Sequence, residues 1–133
     1  MGKSITPKGI VIHCSDSQQG RGDTAETIHK WHLMRGWDGC GYHFVILEDG
    51  TVENGRPTYW EGSHASGYND YLGICMIGID KFTKMQLCAL AGLCKRLKEK
   101  FNLESDKIIG HYKVSEKTCP NMNVDNFKSE WSI

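Results

Sequence analysis

A chain of 133 residues with 39% hydrophobic and 24% charged side chains has the size and composition of one folded domain, and we assign residues 1–133 to it. Its 16 basic residues balance 16 acidic ones, so the formal net charge is zero. This balance argues against a nucleic-acid partner, and no apolar run approaches the roughly 20 residues that cross a bilayer, so we expect no membrane insertion.

The six cysteines predict reduced thiols rather than disulfides. The residues before Pro7 contain no apolar segment of the kind that a classical signal peptide carries. Most of the cysteines lie in apolar runs, where a free thiol packs as a small hydrophobic group. We therefore expect synthesis in a cytoplasm. The six are Cys14, Cys40, Cys75, Cys88, Cys94 and Cys119.

The first half of the chain predicts a strand, a helix and a hairpin, in that order. The β-branched run from Gly9 to His13 is typical of a buried strand. Asp23-Thr24-Ala25-Glu26 has the spacing of a capping box and predicts the start of a helix. A second strand over Tyr42–Leu47 leads into Asp49-Gly50, a hairpin signal. The helix is expected to place one stripe of residues against the core: Ile28, Trp31, Met34 and Arg35.

The second half predicts two more strands and two helices. The run Leu72–Ile79 is apolar throughout, as expected for a central strand covered on both faces. Thr83-Lys84-Met85-Gln86 is a fuller capping box, and apolar residues follow it at three- and four-residue steps. Lys107–Gly110 is a short strand, and a last helix spans about Val124 to Trp131. The whole pattern predicts the α/β class, with a central mixed sheet flanked by helices.

Three residues have the chemistry of a catalytic metal site. His13 ends the first strand and His111 follows the last one, so both side chains can project from a sheet edge into a cleft. Cys119 lies eight residues after His111, in a loop. Two imidazoles and one thiolate are sufficient for a catalytic zinc ion with one position open to water. The spacing alone leaves structural roles for all three residues open, and no CxxC pair is present for a zinc ribbon.

Short motifs follow one another from Gly9 to about Trp131: Ile10–Ser15, Ile28–His32, Arg35–Trp37, Gly41–Ile46, Asp49–Arg56, Gly62–Ala65, Leu72–Gly78, Gly110-His111 and Lys117–Pro120. In their order and spacing the chain resembles the type-2 N-acetylmuramoyl-L-alanine amidase family, and within it the small endolysins of the T-odd phage lysozyme type. The resemblance implies the fold of the peptidoglycan recognition proteins. It also implies hydrolysis of the amide between N-acetylmuramic acid and L-alanine in bacterial peptidoglycan.

Carried over position by position, the resemblance implies that His13, His111 and Cys119 are the zinc ligands. It implies a catalytic tyrosine at Tyr42 and a catalytic lysine at Lys117. Zinc would activate water and polarise the lactyl carbonyl, and the Lys117 ammonium would stabilise the developing oxyanion. Tyr42 would orient the attacking water or pass a proton to the leaving amine, and the sequence leaves both roles open.

The other histidines have both functional and structural interpretations. His64 matches a family histidine that lines the cleft, so substrate binding or proton transfer is expected beside a structural alternative. His43 alternates with Tyr42 and should serve the opposite sheet face. His29 and His32 lie three apart on the first helix, where a core-edge role is favoured over metal binding. Cys14 should face away from His13.

We expect a monomeric phage-type endolysin that is made in the host cytoplasm and reaches peptidoglycan after another protein permeabilises the membrane. A recycling amidase commonly has aspartate at the position of Cys119, and an injected antibacterial effector would share the chemistry. A non-catalytic peptidoglycan receptor would typically lack the cysteine. The T-odd phage lysozyme also binds and inhibits its phage RNA polymerase, so this partner is a further expectation. The chain departs from that relative in a shorter segment before the first strand and a tighter region from Gly78 to Thr83.

Overall fold

A computed structural model describes residues 3–133, which form a five-stranded sheet and three α-helices. The strands are β1 Ile10–Cys14, β2 Phe44–Ile46, β3 Val52–Asn54, β4 Leu72–Met76 and β5 Ile108–Gly110. The helices are α1 Ala25–Met34, α2 Lys84–Lys100 and α3 Val124–Glu130, with short 3-10 helices at Ser105–Lys107 and His111–Lys113. The predicted α/β class is confirmed.

The sheet has the strand order β3-β2-β4-β1-β5, in which only the β2–β3 hairpin is antiparallel. Every residue of β1 and β4 is buried, as their continuous apolar runs predicted. Ile12 of β1 is in register with Ile74 of β4 and Gly110 of β5. The carboxyl ends of these parallel strands therefore meet at one edge of the sheet.

Helices cover both faces of the sheet. Ile74 and Met76 belong to a core cluster with residues of α2 and α3, whereas Cys75, between them on β4, packs with Ile28 of α1. This alternation is the two-residue period of a strand. Burial of each large aliphatic side chain contributes roughly 1.5–3 kcal/mol, so the two clusters hold the sheet edge in place from both sides.

Helix α2 begins where the sequence predicted. The Thr83 side chain accepts a hydrogen bond from the Gln86 N–H at 3.1 Å, and Gln86 Oε1 accepts from the Thr83 N–H at 2.9 Å. Gln86 is buried and its Nε2 also donates to the Ile77 carbonyl at 2.8 Å. The capping box thus joins the start of α2 to the exit of β4.

Helix α1 differs from the prediction in its cap and in its buried side. Its N-cap is Thr24, in a reciprocal box with Thr27, and Asp23 instead pairs with Arg21 at 2.9 Å. Both boxes have the same spacing, so spacing alone does not decide between them. Met34 is 84% exposed, and the buried residues of α1 are Ile28 and His32. The stripe prediction was wrong at its end because His32 points inward to accept a hydrogen bond from the Gly41 N–H.

Two strands are shorter than their apolar runs. β2 begins at Phe44, two residues after Tyr42, and β4 ends at Met76. Gly78 has a φ of 128°, which takes the chain out of the extended conformation after β4. Across residues 3–133, no helix has both the length and the apolar character needed to span a membrane. All six cysteines lie in this range as free thiols.

Candidate metal centre and catalytic cleft

His13 and His111 lie side by side because of the strand register. Ile12 of β1 pairs with Gly110 of β5. His13 directly follows Ile12, and His111 directly follows Gly110. Their ring centroids are 4.3 Å apart, and His13 is only 1% exposed. In open α/β sheets, ligands bind outside the carboxyl ends of the strands, which is where these rings lie.

Cys119 reaches the same place from the loop after β5. Its carbonyl accepts a hydrogen bond from the Tyr112 N–H at 2.8 Å, and its Sγ accepts from the Cys14 N–H at 3.1 Å. The potential ligand atoms of Cys119, His13 and His111 all lie within 4.8 Å of one another. Among the described residues, this is the one cluster of three or more histidine, cysteine or carboxylate groups with metal-binding geometry.

The three residues fit a zinc ion. His111 Nδ1 is buried with no hydrogen-bond partner, and it is the one side-chain atom in that condition within residues 3–133. Leaving such an atom unsatisfied costs about 1–3 kcal/mol, which a coordinated cation would offset. Burial, followed by the nearby charges that include Lys117, lowers the pKa of His13 and of His111, so both rings are neutral. Two imidazoles and a thiol favour zinc over an oxygen-seeking ion such as magnesium.

Cys14 lies beside the cluster without belonging to it. A hydrogen bond with the Cys14 thiol, together with burial, raises the pKa of Cys119. The Cys119 thiol therefore keeps its proton until a cation displaces it. Cys14 is not one of the clustered ligands, as expected. Its contact with Cys119 and its position in the cleft wall were not predicted.

A cleft of about 780 Å³ contains these three residues together with Tyr42, Lys117 and His64. The Tyr42 ring lies 5.0 Å from the His13 ring, and burial raises the pKa of Tyr42. Lys117 is exposed at the rim, and its backbone N–H donates to Ser115 Oγ at 3.1 Å. The fold thus brings all six predicted site residues into one cleft, while their roles in catalysis stay predictions.

The rings of His43, His29 and His64 make hydrogen bonds inside the fold. His43 is fully buried; its Nδ1 accepts from the Gly73 N–H at 3.0 Å and its Nε2 donates to the Trp60 carbonyl at 2.7 Å. His29 Nδ1 accepts from the Cys40 N–H at 3.0 Å. His64 has both ring nitrogens within 2.9 Å of a partner, and burial lowers its pKa to about 3.

Part of the cleft wall was not predicted from the sequence. The Trp37 ring lies 4.4 Å from the His32 ring, and the Arg35 guanidinium lies 5.6 Å from the Trp37 centroid. Trp37, His32 and Arg35 all line the cleft, as does Arg21. The motif Arg35-Gly36-Trp37 was the available signal, but it gave no indication of where the side chains would point.

Acid is expected to destabilise the protein partly through His32. Burial lowers the pKa of this residue from 6.5 to about 4, so between these pH values the unfolded chain binds more protons than the folded one. Stability contributed by neutral His32 is present above pH 6.5 and is lost as the pH falls toward 4, by up to about 3 kcal/mol. Urea unfolding in the presence of a chelator should show a smaller loss between pH 7 and pH 4.5 for His32→Asn than for the unsubstituted protein. Equal losses in both proteins would contradict this assignment.

Comparison with known proteins identifies similar chains with the same fold. The profile of the Amidase_2 family, described as N-acetylmuramoyl-L-alanine amidase, matches residues 3–122. An endolysin of Enterobacteria phage T3 is 37% identical over 128 residues, which cover 90% of this chain and 83% of the relative.

Two solved structures extend the similarity to nearly the whole chain. The endolysin amidase LysCS from Clostridium intestinale superimposes with a TM-score of 0.86 at 32% identity, covering 97% of this chain and 86% of the other. Bumblebee PGRP-SA, a peptidoglycan recognition protein, superimposes with a TM-score of 0.81 at 30% identity, covering 98% of this chain and 88% of the other. The resemblance stated from the motifs is confirmed.

Proposed function

The chain belongs to the N-acetylmuramoyl-L-alanine amidase family, and from this premise we propose that it performs the family reaction with a zinc ion held by His13, His111 and Cys119. Family membership establishes the activity: hydrolysis of the amide between N-acetylmuramic acid and L-alanine. The ion and the roles of individual residues are the proposed part. The observation that supports them best is the cluster of three ligand atoms with the unpartnered His111 Nδ1 inside the cleft.

Each group in the cleft has a defined task in this proposal. When bound, zinc supplies Lewis acidity, which polarises a carbonyl and makes hydroxide available near neutral pH. The Lys117 ammonium at the rim stabilises negative charge that develops on the lactyl carbonyl oxygen. Because burial raises the pKa of Tyr42, its hydroxyl keeps its proton at neutral pH. Tyr42 can therefore donate to the leaving nitrogen of L-alanine.

Product analysis on purified peptidoglycan tests the proposal. We expect new L-alanine amino termini, no new reducing sugar ends, loss of activity with a chelator and recovery with zinc. New reducing ends would indicate a glycosidase and contradict the reaction. Full activity in the metal-free protein would contradict the metal site and leave the amidase reaction standing.

Replacing Tyr42 by phenylalanine is expected to lower kcat by about 100-fold or more, the usual contribution of a positioned proton donor. The substitution removes one hydroxyl and leaves the ring that packs 5.0 Å from His13, so zinc binding should persist. Tyr59→Phe is the matched control, because Tyr59 is 60% exposed and lies outside the cleft. Unchanged kcat in Tyr42→Phe would exclude its hydroxyl from the chemistry.

The biological setting is a proposal of its own. We infer an endolysin that is made in the host cytoplasm and cleaves the wall after the membrane is permeabilised, supported by the similarity to the phage T3 endolysin. Expression alone should leave cells intact, and lysis should follow when a permeabilising agent is added. Lysis without the agent would contradict this route.

Binding to a phage RNA polymerase stays a prediction from the family resemblance. Transcription by a T-odd phage polymerase, measured with and without the purified protein, tests it. Inhibition that persists in a Cys119→Ser variant would show a second activity separate from hydrolysis. Unchanged transcription at micromolar protein would remove this partner.

A further inference from the structure

A chain of hydrogen bonds joins His13 to the backbone just before β4. His13 Nε2 lies 2.9 Å from His64 Nδ1, and His64 Nε2 lies 2.9 Å from the Tyr71 carbonyl oxygen. The two histidine rings meet edge to face, with 89° between their planes. His64 is therefore the link between a proposed metal ligand and a fixed backbone acceptor.

The Tyr71 carbonyl sets the direction of both hydrogen bonds. A carbonyl oxygen only accepts, so His64 Nε2 must carry a proton. His64 is half-buried and has no carboxylate among its hydrogen-bond partners, so the neutral form is favoured and its Nδ1 holds the lone pair. His13 Nε2 must then donate to that lone pair. A histidine that ligates a metal has one ring proton, so the free lone pair of His13 is at Nδ1.

The surroundings of His64 hold its ring and backbone in this position. A side-chain carbon at Gly73 on β4 would come within 2.6 Å of the His64 ring, so only glycine leaves space for it. The backbone N–H groups of His64 and Ala65 both donate to Asn69 Oδ1, at 2.9 and 3.0 Å. The loop and the strand together leave the ring little freedom to turn.

We propose that His64 is a positioning residue for the metal centre, accepting a hydrogen bond from His13 Nε2 so that the Nδ1 lone pair of His13 is presented to the ion. This proposal rests on the zinc site proposed above. The same nitrogen is left available in His111, whose unpartnered buried atom is also Nδ1. It differs from the substrate contact expected of His64 from the sequence, because both ring nitrogens are already engaged. Partners of this kind orient ligands and set metal affinity.

Zinc affinity of the metal-free protein, measured by competition with a chromophoric chelator, tests the role without an activity assay. His64→Leu keeps the bulk and removes the acceptor, and we expect zinc affinity to fall by about 10- to 100-fold. His64→Asn places an amide oxygen near the position of Nδ1, so it should bind zinc more tightly than His64→Leu. His29→Leu is the control, because the His29 ring also accepts a backbone hydrogen bond, from the Cys40 N–H, and does not line the cleft.

Equal zinc affinity in His64→Leu and the unsubstituted protein would overturn the positioning role while leaving the zinc site intact. A loss as large in His29→Leu would overturn it too, because general destabilisation would then explain both. Failure of the unsubstituted protein to bind zinc would contradict the proposed function itself.

A second measurement needs no variant. Two-bond ¹⁵N–¹H correlations of the histidine rings in the metal-free protein report directly which nitrogen has the proton. The proposal expects Nε2–H in both His13 and His64. A proton on Nδ1 of His13, with Nε2 as the acceptor, would overturn the proposal even if His64→Leu fails to fold.

Discussion

Replacing Cys119 by serine is expected to abolish stoichiometric zinc binding and to lower amide hydrolysis at least about 100-fold, since a catalytic metal contributes several kcal/mol to the transition state. Cys119 supplies the thiol of the three ligand atoms that lie within 4.8 Å of one another, and a serine hydroxyl is a poor substitute for a soft thiolate. Zinc content and release of L-alanine amino termini, measured on the same preparations, check this expectation.

Cys88→Ser provides the matched control for this experiment. Cys88 is exposed on α2 and does not line the cleft, so this variant should retain both zinc and activity. A Cys119→Ser protein that still holds one zinc ion and cleaves at the original rate would remove Cys119 from the site. Equal losses of zinc and activity in both variants would show that replacing any cysteine disturbs the protein, and would contradict a specific role for Cys119.

Replacing Lys117 by methionine is expected to lower kcat about 100- to 1000-fold while the zinc content stays unchanged. Methionine keeps the length of the side chain and removes its charge. That charge lies close to the metal centre: after burial, which is the main cause, it contributes to the lowered pKa of both His13 and His111. The loss should be mainly in kcat rather than KM, because an oxyanion develops only in the transition state.

Lys113→Met is the control for Lys117→Met. Lys113 lies on the preceding 3-10 helix, pairs with Asp125 at 3.9 Å and is outside the cleft. The Lys113→Met protein should retain the kcat of the unsubstituted protein. Because both variants lose one positive charge, this comparison separates a local effect of Lys117 from the effect of net charge. A Lys117→Met protein with normal kcat and raised KM would make Lys117 a substrate-binding residue and contradict the oxyanion role.

The elements predicted best from the sequence are those whose signals are local. β1 and β4 are covered on both faces, so their runs are apolar without interruption. Thr83 and Gln86 form a capping box from four consecutive residues, and α2 begins there. The start of α1 could not be decided in this way, because two possible boxes are offset by a single residue; Thr24 is the cap, and the Asp23 carboxylate pairs with Arg21 instead.

The candidate site depended on information of two kinds. His13 and His111 come at the carboxyl ends of apolar runs that predicted strands. In the structure, parallel pairing of β1 and β5 brings the two residues together. Spacing alone did not separate a metal site from structural residues, and the family motifs supplied that distinction for Cys119. The His13–His64 hydrogen bond joins residues 51 positions apart and depends on tertiary packing, so no local pattern predicted it or its continuation to Tyr71.

Anomalous diffraction at the zinc absorption edge, from crystals of protein prepared with one equivalent of zinc, tests the proposed metal centre most directly. A single strong peak is expected at about 2.0–2.1 Å from one ring nitrogen each of His13 and His111 and about 2.3 Å from Cys119 Sγ. No peak at these three residues in a preparation that cleaves peptidoglycan would contradict the account.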